Sequence, residues 1–265
     1  MSLSITILGC GSSGGVPRVG LGWGDCDPAN PRNRRRRCSI LVERTGEGGT
    51  TSVLVDTSPD LREQLLGADV RRLDAVLITH DHADHTHGID DLRPLAIIQR
   101  RRMPVYADDR TSRVLIERFG YCFATPSGSD YPPILEERRI EVPHPIVIDG
   151  AGGAVSAEPF EMEHGRQSRA LGFRFDDIAY ASDVSALPAE SVERLRGLDI
   201  LIVDALRYTP HPTPFSVSEA LALIAEVSPR RAVLTYLHTD LDYDRLTAEL
   251  PYNVEPAYDM MRLTA

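Results

Sequence analysis

The stretch THDHADHTHG at 79–88 carries four histidines and two aspartates in ten residues, and it follows directly on the apolar run LDAVLIT at 73–79. A short apolar run of this kind has the character of a buried strand. A chain built this way has to end a core strand at an open edge, where polar side chains can turn outward. In extended backbone just past a strand, residues two apart point the same way, so His80 and His82 can approach one metal ion together. Asp84 and His85 come as the chain turns away and can face a second ion beside the first. Imidazole nitrogen with carboxylate oxygen suits zinc, manganese or iron, and two ions roughly 3.5 to 4 Å apart can hold a bridging hydroxide. The competing reading is a solvated histidine loop.

Two ions need more ligands than one loop offers, so the remaining histidines and aspartates at strand ends become a test. His164 in FEMEHGRQ follows a strand-like stretch, Asp183 closes IAYASD and His238 closes RAVLTYLH. Each stands at the carboxyl end of an apolar run, where open α/β sheets place their sites. Taken singly each is an ordinary polar residue; their shared setting makes them candidate ligands.

The elements around these positions alternate. SITILGCG reads as an opening strand that runs into a glycine-rich turn, with CSILVE and TSVLVDT as further strands. In SPDLREQLLGA, Ser58 can cap a helix, Pro59 suits its first position and Gly67 can end it. MPVYA reads as a strand and TSRVLIERFG as a helix ending near Gly120, and 125–145 reads as a long loop with a little strand structure. ALGFRFDD, IAYASD and DILIVDA are strands, with PAESVERLRGL a helix between the last two. SVSEALALIAEV is a helix with a capping box, Ser216 facing Glu219, followed by the strand RAVLTYL and a helix around YDRLTAEL. One α/β domain of layered sheets and helices is the simplest account.

Charge and cysteine narrow the function. With 39 acidic and 29 basic residues the formal charge is −10, which opposes binding to large nucleic acids, because such binding rests on many cationic contacts. The local exception is NRRRRCS, where Arg34 to Arg37 could clamp a small phosphorylated ligand through charge-assisted forks or could be surface with one or two structural pairs. Cys10, Cys26, Cys38 and Cys122 are widely spaced with no CxxC pair, so buried or free thiols are expected rather than a disulfide framework or a four-cysteine zinc site. No apolar run approaches the ~20 residues of a membrane helix, and the opening has no basic segment before its short apolar stretch. The expectation is a cytoplasmic protein without membrane contact, and a homodimer by base rate.

The pattern HxHxDH, then a later His, an Asp and a final His, resembles the metallo-β-lactamase superfamily of dinuclear hydrolases. The opening LGCGSSGGVP, the strand end LVDTSPD, the SD at 182–183 and the closing His238 fall in that family's order, so the likeness spans nearly the whole chain. It implies a four-layer αβ/βα sandwich over 1–265 with the site at one edge of two sheets. It implies one metal on His80, His82 and His164, a second on Asp84, His85 and His238, and Asp183 bridging both. Members with Asp followed by His in the first motif resemble hydrolases of phosphodiesters, thioesters and lactones, whereas true β-lactamases usually lack the His85 equivalent. Within the superfamily the likeness is to the cyclic phosphodiesterases of phosphonate degradation, carried by GCGSSGGVP, the arginine segment ending in CS, and VDALRYTPHPTPFSVSEALAL. Those enzymes hold a structural zinc on a cysteine cluster before the arginines. Here GWGDCDPANP keeps only Cys26, and no structural zinc is expected.

The expected activity is hydrolysis of a small cyclic phosphate or nucleotide-like phosphodiester with two divalent ions, zinc or manganese, with iron also accepted. A metal-bridging hydroxide would attack phosphorus in line. Asp84 belongs to the catalytic centre, and His211 is the candidate general acid for the departing ribose oxygen. Relatives often have a histidine where this chain has Pro214, so the bland reading, that His211 orders a proline-rich loop, stands beside it. Arg37 or a neighbour is the candidate for substrate grip, together with His211. The glycine-rich opening could nest an anion but lacks the lysine and spacing of a nucleotide loop. His87 and His144 have no place in the ligand set. The rival readings are a thioester hydrolase resembling glyoxalase II, a transfer-RNA nuclease, and a metal- and nucleotide-binding protein without turnover.

Overall fold

The computed structural model of the chain describes residues 2–165 and 168–264. In chain order the elements of the first half are β1 (Ser2–Gly9), β2 (Ser39–Gly46), β3 (Gly49–Val55), α1 (Leu61–Gly67), β4 (Ala75–Leu77), α2 (Ala83–Thr86), α3 (Arg93–Gln99), β5 (Met103–Ala107), α4 (Asp109–Phe123) and β6 (Leu135–Arg139). The second half adds β7 (Ile146–Ile148), β8 (Val155–His164), β9 (Ser168–Phe175), β10 (Ile178–Ala181), α5 (Ala189–Arg194), β11 (Ile200–Asp204), α6 (Val217–Val227), β12 (Arg231–Thr235), α7 (Tyr243–Glu249), β13 (Val254–Pro256) and β14 (Met261–Thr264).

These strands form two seven-stranded sheets, ordered β14-β1-β2-β3-β4-β5-β6 and β13-β12-β11-β10-β9-β8-β7. Period-two patterning decides which face of each strand looks where. Ile5, Ile7, Val53 and Val55 of the first sheet meet Phe173, Phe175, Tyr180, Ile200 and Ile202 of the second in one core between the sheets. The residues between them face outward under the helices: Leu8, Leu41 and Leu54 on one side, Ala179, Leu201 and Val203 on the other. Apolar residues on both faces of a strand demand cover on both faces, and the result is the expected αβ/βα sandwich.

Each sheet is mixed, and its parallel part matters for function. β3 to β6 run parallel in one sheet and β10 to β13 in the other. The carboxyl ends of β3 and β4 meet the second sheet at one edge, where Leu171 donates its N–H to the Thr79 carbonyl at 2.9 Å. The glycine-rich turn after β1 closes the same edge: the Ser12 N–H donates to the Leu237 carbonyl, and the Leu237 N–H to the Cys10 carbonyl at 2.8 Å.

Several local expectations shift. Helix α1 starts later than Ser58, with Asp60 as its N-cap residue. The Ser58 hydroxyl donates to Gln64 Oε1 at 2.8 Å and accepts from the Asp60 N–H, so it closes a turn before the helix. Helix α4 passes Gly120 and runs to Phe123, with Phe119 out of helical geometry just before the expected stop. The capping box of α6 is present in both directions, Ser216 with Glu219. All four cysteines are free and buried. No helix among the described residues is long and apolar enough to cross a membrane.

Candidate metal centre

Strand β4 ends at Leu77, and the chain continues extended through Ile78 and Thr79 to His80. His82, still extended, is the N-cap residue of the short helix α2, whose first turn carries Asp84 and His85. The extended run and the turn into α2 fall where the spacing implied. His80, His82 and His164, from the end of β8, bring ligand atoms within 4.8 Å of one another, as do His80, His85 and Asp183. His82 is the exposed member; His80, His85, His164 and Asp183 are buried, and Asp84 lies at the boundary at 9% exposure.

One carboxylate presets the ring nitrogens. Asp56, at the end of β3 and fully buried, accepts His85 Nδ1–H at 2.7 Å through Oδ2. It also accepts the Thr79 hydroxyl at 2.9 Å, which leaves the Thr79 oxygen to accept from His80 Nδ1 at 3.0 Å. Both rings then donate through Nδ1 and turn Nε2 toward the cluster. His80 Nε2, His85 Nε2, His164 Nδ1 and Asp183 Oδ1 are buried with no hydrogen-bond partner. Orphaned buried acceptors are costly, and a divalent cation satisfies this set of imidazole and carboxylate donors at once. The residues present therefore fit such ions.

The electrostatics agree. Burial lowers the His85 pKa, but Asp84, Asp56 and Asp183 outweigh it and hold it well above the ordinary histidine range. His85 Nε2 lies 2.9 Å from Asp183 Oδ2 and 3.4 Å from Asp84 Oδ2. Burial, reinforced by neighbouring imidazoles, pushes His80 well down and also lowers His164. The carboxylates around His85 thus draw positive charge to the cluster, which a proton on His85 supplies and which a metal cation bound to the deprotonated ring would supply in its place.

Three residues around the cluster hold left-handed backbone at the carboxyl ends of strands: Asp56 (φ 66°), Asp183 (φ 62°) and Tyr236 (φ 60°). Tyr236 donates its hydroxyl to Asp84 Oδ2 at 3.0 Å and packs against the His85 ring. Burial, with Asp183 and Asp84 nearby, pushes its phenol well above the usual range, so it stays a neutral donor.

His238 takes a different place. Its Nε2 faces Arg18 NH1 at 2.7 Å, and its Nδ1 lies 3.1 Å from Asp240 Oδ1. A guanidinium only donates, so Nε2 is an acceptor and the proton sits on Nδ1. The structure sets His238 on the wall of the cavity outside the two tight ligand groups.

That cavity, about 310 Å³, is shared by His82, Asp84, His164, Asp183 and His238 with Arg18, Arg207, His211 and Tyr236. His211 Nδ1 accepts from the Thr213 N–H at 3.3 Å, which leaves Nε2 as the protonated nitrogen of the neutral ring. Burial, with Arg207 and His238 near, lowers its pKa. Arg37 is not on this cavity. Its Nε pairs with Asp60 at 2.9 Å in a separate hollow of about 570 Å³ beside the glycine-rich turn. Arg35 is buried at 2% exposure, its fork spent on the carbonyls of Leu241 at 2.6 Å and His238 at 3.1 Å. The arginine run is thus mainly structural, and among the described residues the cations on the site's cavity are Arg18 and Arg207. His87 is exposed against Phe119, and His144 is exposed.

Residues 51–236 match the family model described as a beta-lactamase superfamily domain. The chain belongs to the metallo-β-lactamase superfamily. Its fold is close to that of a crystal structure described as a new diphosphatase from the PhnP family, with 35% identity, a TM-score of 0.89 and coverage of 100% of this chain and 98% of the other. An octanoyltransferase of Porphyromonas gingivalis is 33% identical over 258 residues, 96% of this chain and 50% of that protein. A ribonuclease Z of a Bradyrhizobium is 31% identical over 149 residues, 55% of this chain and 46% of that protein. The chain spans about half the length of these two curated relatives. Within the superfamily its full-length likeness is to the PhnP-type branch.

Proposed function

We propose that this hydrolase cleaves a P–O bond in a small cyclic phosphate or nucleotide-like phosphodiester, using two divalent ions. The observation that carries the reading is the buried donor set of His80, His85, His164 and Asp183, whose ligand atoms lack hydrogen-bond partners and of which His164 and Asp183 line a cavity of about 310 Å³, a volume at the small end of ligand sites. The full-length likeness to a diphosphatase supports phosphorus chemistry. His80, His82 and His164 would hold one ion and Asp84, His85 and His238 the other, with Asp183 between them. When bound, such ions supply Lewis-acid charge against phosphoryl oxygens and lower the pKa of water. Asp56 and Tyr236 orient the ligands, and burial keeps bulk water from screening them. His211, which lines the cavity, would protonate the departing oxygen as its imidazolium; the lowered pKa makes that form scarcer and a stronger acid. The acidic balance of the chain favours a small phosphorylated substrate over large nucleic acid.

The test is a phosphorus NMR time course on protein loaded separately with manganese and zinc, offered ribose 1,2-cyclic phosphate 5-phosphate, a 2′,3′-cyclic nucleotide and a diphosphate-bridged nucleotide. Metal-dependent cleavage is expected, lost together with metal in Asp84→Ala and His82→Ala. No cleavage of any of them under either metal would end the reading. Thioester hydrolysis is the second reading, favoured by the octanoyltransferase likeness, and a thiol-release assay on an acyl thioester decides between the two.

A further inference from the structure

Of the two arginines on the cavity among the described residues, Arg207 spends Nε and NH2 on the carbonyls of Thr209 and Pro210. Arg36 and Arg37 are paired with Asp259 and Asp60. Arg18, partly exposed on the cavity, has no carboxylate within salt-bridge distance among the described residues, and its one side-chain hydrogen bond there runs from NH1 to His238 Nε2. Asp84 and Asp183 line the same cavity without pairing to it.

Its position is built. The Arg18 N–H donates to the Gly22 carbonyl at 2.8 Å and the Gly22 N–H donates back to the Arg18 carbonyl at 2.8 Å, which fixes a tight hairpin. The side chain then lies against Gly14, where a Cβ would meet Arg18 Nε at 2.3 Å. A side chain at 14 would push the guanidinium away from this position. His238 Nε2 has one lone pair. Given to an ion, as proposed above, that lone pair is no longer available to Arg18, and NH1 is released to the cavity.

We propose that Arg18 is the residue that binds the substrate's phosphoryl oxygens, gripping two of them through its fork beside His238. The assignment deepens the phosphodiesterase reading and rests on it. The alternative is that Arg18 only locks the His238 ring.

The experiment compares manganese-loaded wild type with Arg18→Met, Arg18→Lys and Gly14→Ala. It measures inorganic phosphate binding by calorimetry, metal per chain, and kcat and KM in the phosphodiester assay. Arg18→Met is expected to bind phosphate at least about tenfold more weakly and to raise KM, with metal per chain unchanged. Arg18→Lys should fall between, since it keeps the charge and loses the fork, and Gly14→Ala should weaken phosphate binding in the same direction. Phosphate affinity in Arg18→Met within about twofold of wild type would overturn the proposal, as would loss of metal in step with loss of activity, the mark of a lock on His238. If wild type neither binds phosphate nor cleaves any phosphodiester, the function proposed above falls and this assignment with it. If wild type does both and Arg18→Met binds phosphate equally well, only the assignment falls.

Discussion

The Nδ1 of His85 lies 2.7 Å from Asp56 Oδ2, and the same carboxylate reaches His80 through the Thr79 hydroxyl. One side chain at the end of β3 therefore sets the tautomer of two ring nitrogens on the loop after β4. Asp56→Asn keeps the size and replaces an acceptor oxygen by a donor or weakens the bond that orients His85. Partners of this kind are worth roughly 10- to 100-fold in metal affinity or activity. Metal retained after dialysis against a competing chelator, read beside turnover, should fall by that order. Undiminished retention would show that the ring orientation is fixed by packing alone.

Stripping the ions should destabilise the fold. Ions that bind only the native chain add about 4 kcal/mol at a concentration a thousandfold above Kd, and His80, His85, His164 and Asp183 each bury an atom that lacks another partner. A chelated sample should melt several degrees below a zinc- or manganese-loaded one. Coincident melting curves would mean that these atoms hold no ion.

Two neighbouring arginines should behave oppositely. Arg35→Met strands the buried carbonyls of Leu241 and His238 and should lower unfolding free energy by about 3 kcal/mol. Arg37→Met removes a partly exposed pair with Asp60 and should cost less than about 1 kcal/mol. Urea titrations of both variants provide the comparison, and similar losses would contradict the division of roles within the run.

Asp259 should tilt the stability curve with pH. Burial holds its carboxyl up at about 6, with the Arg36 N–H and guanidinium pulling less strongly the other way. Because this lies above the unfolded value of about 3.9, the folded chain binds that proton more tightly. Its contribution is fully present below about pH 4 and is lost as pH rises through about 6. The stability of wild type minus that of Asp259→Asn should therefore fall, by up to about 3 kcal/mol, between about pH 4 and pH 7. A difference that stays flat or rises over that range would refute the assignment.

What sequence reveals here depends on whether a residue's role is set locally. That the side chains at 80, 82, 84 and 85 gather at one place was legible because strand and turn geometry fix where neighbours point. The sandwich was legible from apolar runs that need cover on both faces. Asp56 stood in view inside LVDTSPD, but its duty depends on a loop 23 residues further on, and nothing local announces it. Arg18 was passed over because its meaning comes from Gly14 and His238, brought together only by the fold. Arg37 was favoured over Arg35 since a run of four identical residues carries no sign of which one points inward. The start of α1 was misplaced for a related reason: Ser58 has a cap's chemistry but spends it on Gln64 and Asp60.

The left-handed backbone at Tyr236 sets a limit on how this chain can be improved. Asp tolerates such a conformation better than most residues, so Asp56 and Asp183 bear little cost, whereas a bulky aromatic there is strained by on the order of 1 kcal/mol or more. Glycine at 236 would relax the backbone and remove the hydroxyl that steadies Asp84. Emptying the buried cluster that the ring shares with Cys38 and Leu206 would cost about 3 kcal/mol or more, above the strain relieved, so selection for heat resistance and selection for turnover should both hold the tyrosine at this one codon.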